Sequence, residues 1–298
     1  ANKTSTRLTY ISAHLLDELT LLNNKLKLTV GIRLTQAKGF SKEYEAGPAS
    51  SSDFVLTPRA GINYAFNDFF SVYALYDNSF LPQTGLAYDG SPLKPLQGTN
   101  IELGIKKDWN RGAWNTTFSV YNIVRNRLIE HDAVTNKLYQ TGESWSKGIE
   151  LDLRGRIAKG LNIIANYAYT DSKVTKDEQN PKMVGKPTPN RISHIQNTWI
   201  NYALPLKKLS GFTISAGYQY LAGRAERFSR ADMQSLMDLF RVDGGAGYMH
   251  SKCSLRVLVN NVLDKKMYNT GWRNRSGDLY YWVQQAPRNY RIAFSLNL

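Results

Sequence analysis

The side chains best suited to acid–base or nucleophilic chemistry are few. They are His14, His131, His194 and His250, with a lone thiol at Cys253. His131 precedes Asp132 and His194 follows Ser193, the pairings from which a His-assisted hydrolase is built. Neither pair lies in a nucleophile elbow or at another known catalytic spacing, and the four histidines are scattered along the chain. Asp171 to Glu178 is acidic but lacks the Asp-x-Asp-x-Asp-Gly spacing of a calcium loop. Gly223-Arg224 is no phosphate loop, and one cysteine allows neither a disulfide framework nor a multi-cysteine metal site. Asn115-Thr116-Thr117 and Asn274-Arg275-Ser276 match a glycosylation pattern and nothing catalytic. No enzyme activity, resident metal or cofactor is expected.

The charge balance asks a second question. Lys+Arg is 38 and Asp+Glu 24 in 298 residues, a formal net charge of +14. A nucleic-acid-binding protein gathers such charge into a patch or stripe. Here the basic residues alternate with apolar ones or are dispersed, as in Lys173, Lys176, Lys182 and Lys186, so nucleic acid is not the expected partner. Anionic lipopolysaccharide or an anionic chelate suits loop cations better. No run approaches 18 apolar residues, which excludes a membrane-spanning helix.

The elements carrying these residues show a period of two. Leu26, Leu28, Val30, Ile32 and Leu34 alternate with Lys27, Thr29, Gly31, Arg33 and Thr35. The same alternation recurs at 56–66, 149–154, 212–220 and 289–298, and means strands with one apolar and one polar face. Thirteen strands are expected, near 4–20, 26–38, 54–66, 70–79, 99–109, 113–130, 140–157, 161–172, 190–203, 212–223, 239–249, 254–263 and 287–298. Residues 231–240 read as loop with one helical turn. Short connections alternate with long ones at 39–53, 80–98, 131–139, 173–189, 224–238 and 264–286. Loops sorted by length to opposite ends mark an outer-membrane β-barrel and not a two-sheet sandwich.

The charges follow the same rule. Arg33, Arg59, Glu102, Lys106, Glu150, Asp152, Arg154, Arg156, Arg241, Asp243, Arg256 and Arg291 all fall on the polar phase. A lipid-facing Arg or Lys at mid-membrane costs roughly 2–4 kcal/mol, which an inward orientation avoids. Aromatics on the apolar phase gather beside the short turns, as Phe66 with Phe70, Trp109 with Trp114 and Tyr202 with Phe212. At the far ends stand Tyr76, Trp145, Tyr169, Tyr220 and Tyr290. Two such belts mark two membrane interfaces. An odd count of strands does not close an antiparallel barrel, so the chain is expected to be the C-terminal piece of a larger one.

Six stretches, in order, resemble the TonB-dependent siderophore receptor family. They are Leu56–Tyr64, Leu93-Lys94-Pro95 with Asn100–Lys106, Tyr139–Glu143 with Lys147–Glu150, Ala165–Ser172, Asn260–Tyr268 and Ala286–Tyr290. Leu96 and Leu298 stand where the family has Glu and a terminal aromatic. The resemblance implies an all-β, antiparallel transmembrane barrel of about 22 strands closed by an N-terminal plug. Residues 1–298 would be its C-terminal part, with thirteen strands and no plug. It further implies residence in the bacterial outer membrane and active uptake of a ferric siderophore, of hydroxamate type, driven by TonB through the plug. A passive channel shares the alternation and belts, and haem, cobalamin and glycan receptors share the barrel.

For such a ligand, flat aromatic surfaces and cations would make the contacts. The long connections supply Tyr88, Arg224, Trp272, Tyr280 and Trp282, and these five are the expected extracellular ligand contacts.

Overall fold

The computed structural model describes residues 5–43, 47–131, 138–205, 210–226, 235–273 and 280–296. Sixteen strands follow one another with a single 3-10 turn, Pro181–Met183. They are β1 (Ser5–Leu21), β2 (Leu26–Glu43), β3 (Gly47–Asn67), β4 (Phe70–Leu81), β5 (Leu96–Trp109), β6 (Trp114–His131), β7 (Leu138–Ala158) and β8 (Leu161–Lys176), then β9 (Ile192–Ala203), β10 (Phe212–Ala225), β11 (Ser235–Leu236), β12 (Leu239–Met249), β13 (Cys253–Asn260), β14 (Tyr268–Arg273), β15 (Tyr280–Gln284) and β16 (Asn289–Leu296). One sheet runs in chain order from β1 to β10, then β12, β13 and β16, with β11 on the side of β10. β14 and β15 form a separate two-stranded ribbon. The thirteen strands along the main path are the thirteen read from the alternation.

The short connections use residues that tolerate a left-handed backbone. Asn23 and Asn24 have φ of 52° and 68°, and Asn110, Arg111 and Gly112 have 48°, 57° and 84°. Such geometry matches the twist of paired strands, and Asn and Gly adopt it at least cost. Gly160 is held at φ 74°, and a Cβ there would lie 2.4 Å from the Ala203 carbonyl oxygen.

The strands overrun their expected ends where the long connections begin. β2 has 18 residues and β3 has 21, whereas roughly 9–11 cross a bilayer. Lys38 pairs with Ser52 and Lys42 with Pro48, so most of the loop expected at 39–53 is ladder. Beyond Leu34 the apolar phase continues as Gln36, Lys38, Phe40 and Lys42, three of the four polar. Pairing outlasts the hydrophobic signal because those residues have left the apolar band.

Contacts divide the chain into two compact units. One comprises Ala1–Ile105, Val120–Lys147 and Asp171–Thr188; the other comprises Lys106–Ser119, Gly148–Thr170 and Pro189–Leu298. In the first, the polar face carries Arg33 bonded to Ser12 (3.1 Å), Arg59 to Asp77 (2.8 Å) and the Tyr73 hydroxyl to Glu102 (2.6 Å). In the second, Gln219 Nε2 donates to Asn197 Oδ1 (3.0 Å) and Asn197 Nδ2 donates to Asn166 Oδ1 (2.9 Å). Arg241 bonds Asp243 at 3.0 Å on the same face.

The opposite face of each unit is apolar and uncovered, with Ile101 50% exposed in the first and Ile214 50% and Ile292 71% exposed in the second. Dry packing lies instead where the long connections fold over the strand ends. Leu93, Val174 and Met183 are buried in the first unit, and Ala222, Leu236, Leu239 and Met267 in the second. At the short turns Phe66 stacks on Phe70 (5.4 Å) and Trp109 on Trp114 (4.9 Å). Phe212 packs on Tyr248 of β12 at 4.5 Å, whereas the sequence paired it with Tyr202. Lys107 also departs from the expected pattern, lying on the apolar phase with its ammonium 5.4 Å from the Trp109 ring. A lysine beside an interfacial tryptophan reaches the headgroup layer along its own stem.

Candidate functional site

In the first unit the connection after β4 folds into a small ribbon. Leu86 bridges Pro92, the Ala87 amide donates to Ser91 O (2.8 Å) and the Leu93 amide to Gly85 O (3.1 Å). At its tip Asp89 accepts from the Ser91 amide (2.9 Å) and hydroxyl (2.6 Å). These bonds favour the charged carboxylate and hold the Asp89 pKa below its ordinary value. The ribbon is docked by a reciprocal pair, Lys94 N to Gln140 Oε1 (2.5 Å) and Gln140 Nε2 to Lys94 O (2.7 Å). Tyr88 donates its amide to Leu138 O and stacks on Tyr139 with centroids 4.4 Å apart. The residue remains 55% exposed. Tyr88 is therefore presented as half of an aromatic pair, and Tyr139 is a member that composition alone did not single out.

The second unit holds the denser cluster. Beyond the apolar band, β10 ends in Gly223-Arg224-Ala225, followed by Glu226. Arg224 is only 4% exposed. Its Nη1 donates to Met237 O at 2.9 Å and its Nη2 to Tyr268 O at 2.8 Å and to Asn269 O. Burial pushes the guanidinium pKa below its ordinary value, and Asp238 counters that shift. The group stays cationic, and its donors are committed to backbone. Arg224 thus sits in the cluster the sequence placed it in, as the clamp on β14 and with little surface for a ligand.

What Arg224 clamps is an aromatic ribbon. Tyr280 and Trp282 lie side by side with centroids 4.5 Å apart, and Tyr268 lies 5.0 Å from Trp282. Gly271 pairs with Trp282 across the ribbon. A Cβ at Gly271 would stand 2.7 Å from Tyr280 and 2.9 Å from Trp282, so the missing side chain is the space in which the rings lie. The Tyr280 hydroxyl donates to Glu226 Oε1 (3.2 Å), and Thr270 donates to Asn190 Oδ1 (3.2 Å). Glu226 is 1% exposed. Trp272 pairs with Tyr281 through its backbone, and its side chain lies outside the described residues. Tyr280, Trp282 and Arg224 are thus brought together, and Tyr88 belongs to the other unit. Tyr268 and Glu226 complete the cluster; Tyr268 was legible only as the end of the Asn260–Tyr268 motif.

Between the ribbon and the strand ends of β12, β13 and β16 is a cavity of about 500 Å³, lined by Arg241, Ala286 and six carboxamide residues. Of the predicted acid–base residues, His194 sits on the apolar face with the Tyr167 hydroxyl 2.9 Å from Nδ1, and His250 lies by a short turn beside the Ser251 hydroxyl (3.2 Å). Asp132 lies outside the described residues. Among those residues no group of three or more His, Cys, Asp or Glu is placed to hold a metal.

A sheet with one apolar and one polar face, short turns at one end and folded connections at the other is the architecture of a membrane barrel wall. Residues 1–262 match the family model described as TonB dependent receptor-like, beta-barrel, and the chain belongs to that family. It is 29% identical over 296 residues to the ferric-pyoverdine M114 receptor PbuA of Pseudomonas sp. strain M114, covering 90% of this chain and 34% of that protein. It is 27% identical over 216 residues to the ferrioxamine B receptor of Salmonella typhimurium strain LT2, covering 71% of this chain and 30% of that protein. The siderophore receptor PiuA from Acinetobacter baumannii shares the fold with a TM-score of 0.81 at 22% identity, over 98% of this chain and 43% of that one. The chain spans about a third of the length of the curated relatives it matches.

Proposed function

We propose that this chain is the C-terminal barrel portion of an outer-membrane receptor that imports a ferric siderophore with energy delivered by TonB. The observation that carries this reading is the two-faced sheet of a TonB-dependent receptor barrel with an aromatic ribbon fixed at its long-loop end. Curated relatives named as receptors for pyoverdine, ferrioxamine B and ferrichrome support a siderophore as the cargo, and the last two favour a hydroxamate chelate. The ligand arrives at the loops, where Tyr280 and Trp282 offer ring faces to its organic shell, and Trp272 of the same connection and Tyr88 of the other unit are further contacts by residue type. Arg224 serves the same site by holding β14 in place. The polar face, with its bonded ion pairs and carboxamides, is the wall against which a plug domain moves when TonB pulls. The remaining strands of a barrel of about 22 and the plug belong to the whole protein. Loop lysines meet lipopolysaccharide.

The test is uptake of ⁵⁵Fe-labelled ferrioxamine B by cells carrying the full-length receptor as their only route. The expected result is accumulation that stops on adding a protonophore and falls at least tenfold when Trp282 and Tyr280 are replaced by Ala. Accumulation indifferent to the protonophore would make the protein a passive channel.

A further inference from the structure

The cavity beneath the aromatic ribbon differs from it in chemistry. It lies on the polar face, where Arg241, Asn260 and Asn289 stand at the long-loop ends of β12, β13 and β16, and the ribbon contributes Asn269 and Gln284 to its exposed rim. No aromatic or large aliphatic residue lines it. Several carboxamides are spent on shaping it. Asn261 clasps the Lys265 backbone in both directions, Nδ2 to O at 2.9 Å and Oδ1 from N at 3.1 Å. Asn260 donates to Asn289 (2.8 Å), and Asn289 donates to Pro287 O (2.9 Å).

What is left over faces the cavity. Gln285 donates to Asn269 Oδ1 at 2.6 Å, which leaves the Gln285 carbonyl and the Asn269 amide nitrogen. Gln284 lines the cavity, and among the described residues its carboxamide has no partner. Arg241 gives Nε to Asp243 (3.0 Å) and keeps its two Nη groups. Asp243 already balances that cation and also accepts from the Asn261 amide (2.8 Å). The remaining surface is thus a set of neutral carboxamide donors and acceptors with one tempered cation.

An apolar guest would strip water from these groups and return no hydrogen bond. A highly charged metal centre would find one cation that is already paired. A chain bearing amide or hydroxamic C=O and N–H groups fits, because each carboxamide bonds such a group through both its ends. The volume is that of a small-ligand site.

We infer that this cavity is a second ligand subsite, which takes the amide-bearing organic backbone of the cargo while the ribbon aromatics meet the chelate shell. Its ligand class follows from the uptake reading above, but its chemistry does not depend on iron. Two probes separate the parts in purified full-length receptor studied by isothermal titration. Metal-free desferrioxamine B carries the amide-bearing chain, with its hydroxamic acids and terminal ammonium but no metal, and iron(III) tris(acetohydroxamate) carries the metal and its hydroxamate shell without that chain.

Gln284→Leu removes the open carboxamide from an exposed position that anchors nothing else. The expected result is that this change weakens desferrioxamine B at least tenfold and leaves the acetohydroxamate complex within twofold, while Gln284→Asn retains most of the affinity. Unchanged desferrioxamine B affinity, equal loss for both probes, or no desferrioxamine B binding to the unaltered receptor would each overturn the subsite. If desferrioxamine B binds and responds to Gln284 while neither iron complex binds, the subsite stands and the ferric uptake reading falls.

Discussion

Arg224 shows how a single side chain changes meaning between sequence and structure. A loop arginine beside aromatics reads as a ligand cation, yet this one is buried and bonded to three carbonyls. Replacing it by Ala removes three hydrogen bonds from a charged donor, each worth about 1.5–3 kcal/mol. The expected outcome is faster amide exchange across Tyr268–Arg273 with the sheet ladder unchanged, and partial recovery in Arg224→Lys, which keeps the charge and loses the fork. Asp89 gives a pH signature. Its pKa is depressed in the folded ribbon, so its contribution to stability is fully present above the ordinary carboxylate pKa and is lost as pH falls through the folded value. NMR of the Ser91 amide between pH 7 and pH 2.5 should show the Ser91–Asp89 bond opening only in the acid range, and Asp89→Asn should abolish that titration.

At the scale of the element, the period-two pattern carries nearly all the information. Register follows from it, because a slip of one residue would turn Ile214 and Ile292 to the polar face and Arg241 to the apolar one. Ile214→Arg and Ile292→Arg are therefore expected to destabilise assembly by about 2–4 kcal/mol, and Ser215→Arg and Ser295→Arg by far less. Urea titrations of the receptor refolded into bilayers measure the difference. Gly271→Ala tests the ribbon: a Cβ meets two rings at 2.7 and 2.9 Å, and overpacking of this kind costs about 1–3 kcal/mol. Tryptophan fluorescence at Trp282 should shift while the sheet's circular dichroism stays fixed. The strands were legible because lipid and water impose opposite demands on alternate residues. The ribbon of β14 and β15, the β11 bridge and the upper half of the β2–β3 ladder were not. They stand outside the apolar band, where Lys38 and Ser52 pair without any hydrophobic alternation to announce them. The five candidate contacts were chosen by type and place, and Arg224's part as a clamp depends on its burial, which no spacing reveals.

For the whole molecule, the described sheet is open: β1 pairs with β2 and β16 with β13, and neither has a second neighbour along the main path. Inside a bilayer every backbone group needs a partner, so the barrel proposed here requires further strands between these two edges. Intact-mass measurement of the native protein should return a polypeptide well above 33.7 kDa, and a mass equal to this chain would overturn that assignment. The strand order has another consequence, for the time course of folding. From β1 to β10 each strand pairs with its chain neighbours, so the contacts that build the wall are short-range in sequence. Loop-closure entropy is then lost in small steps, and the wall can grow one hairpin at a time, each new hairpin bonding to the edge left by the last. The join of β13 to β16 is the exception, because the segment between them carries the aromatic ribbon. That join closes the longest connection along the main path and carries the largest loop-closure entropy.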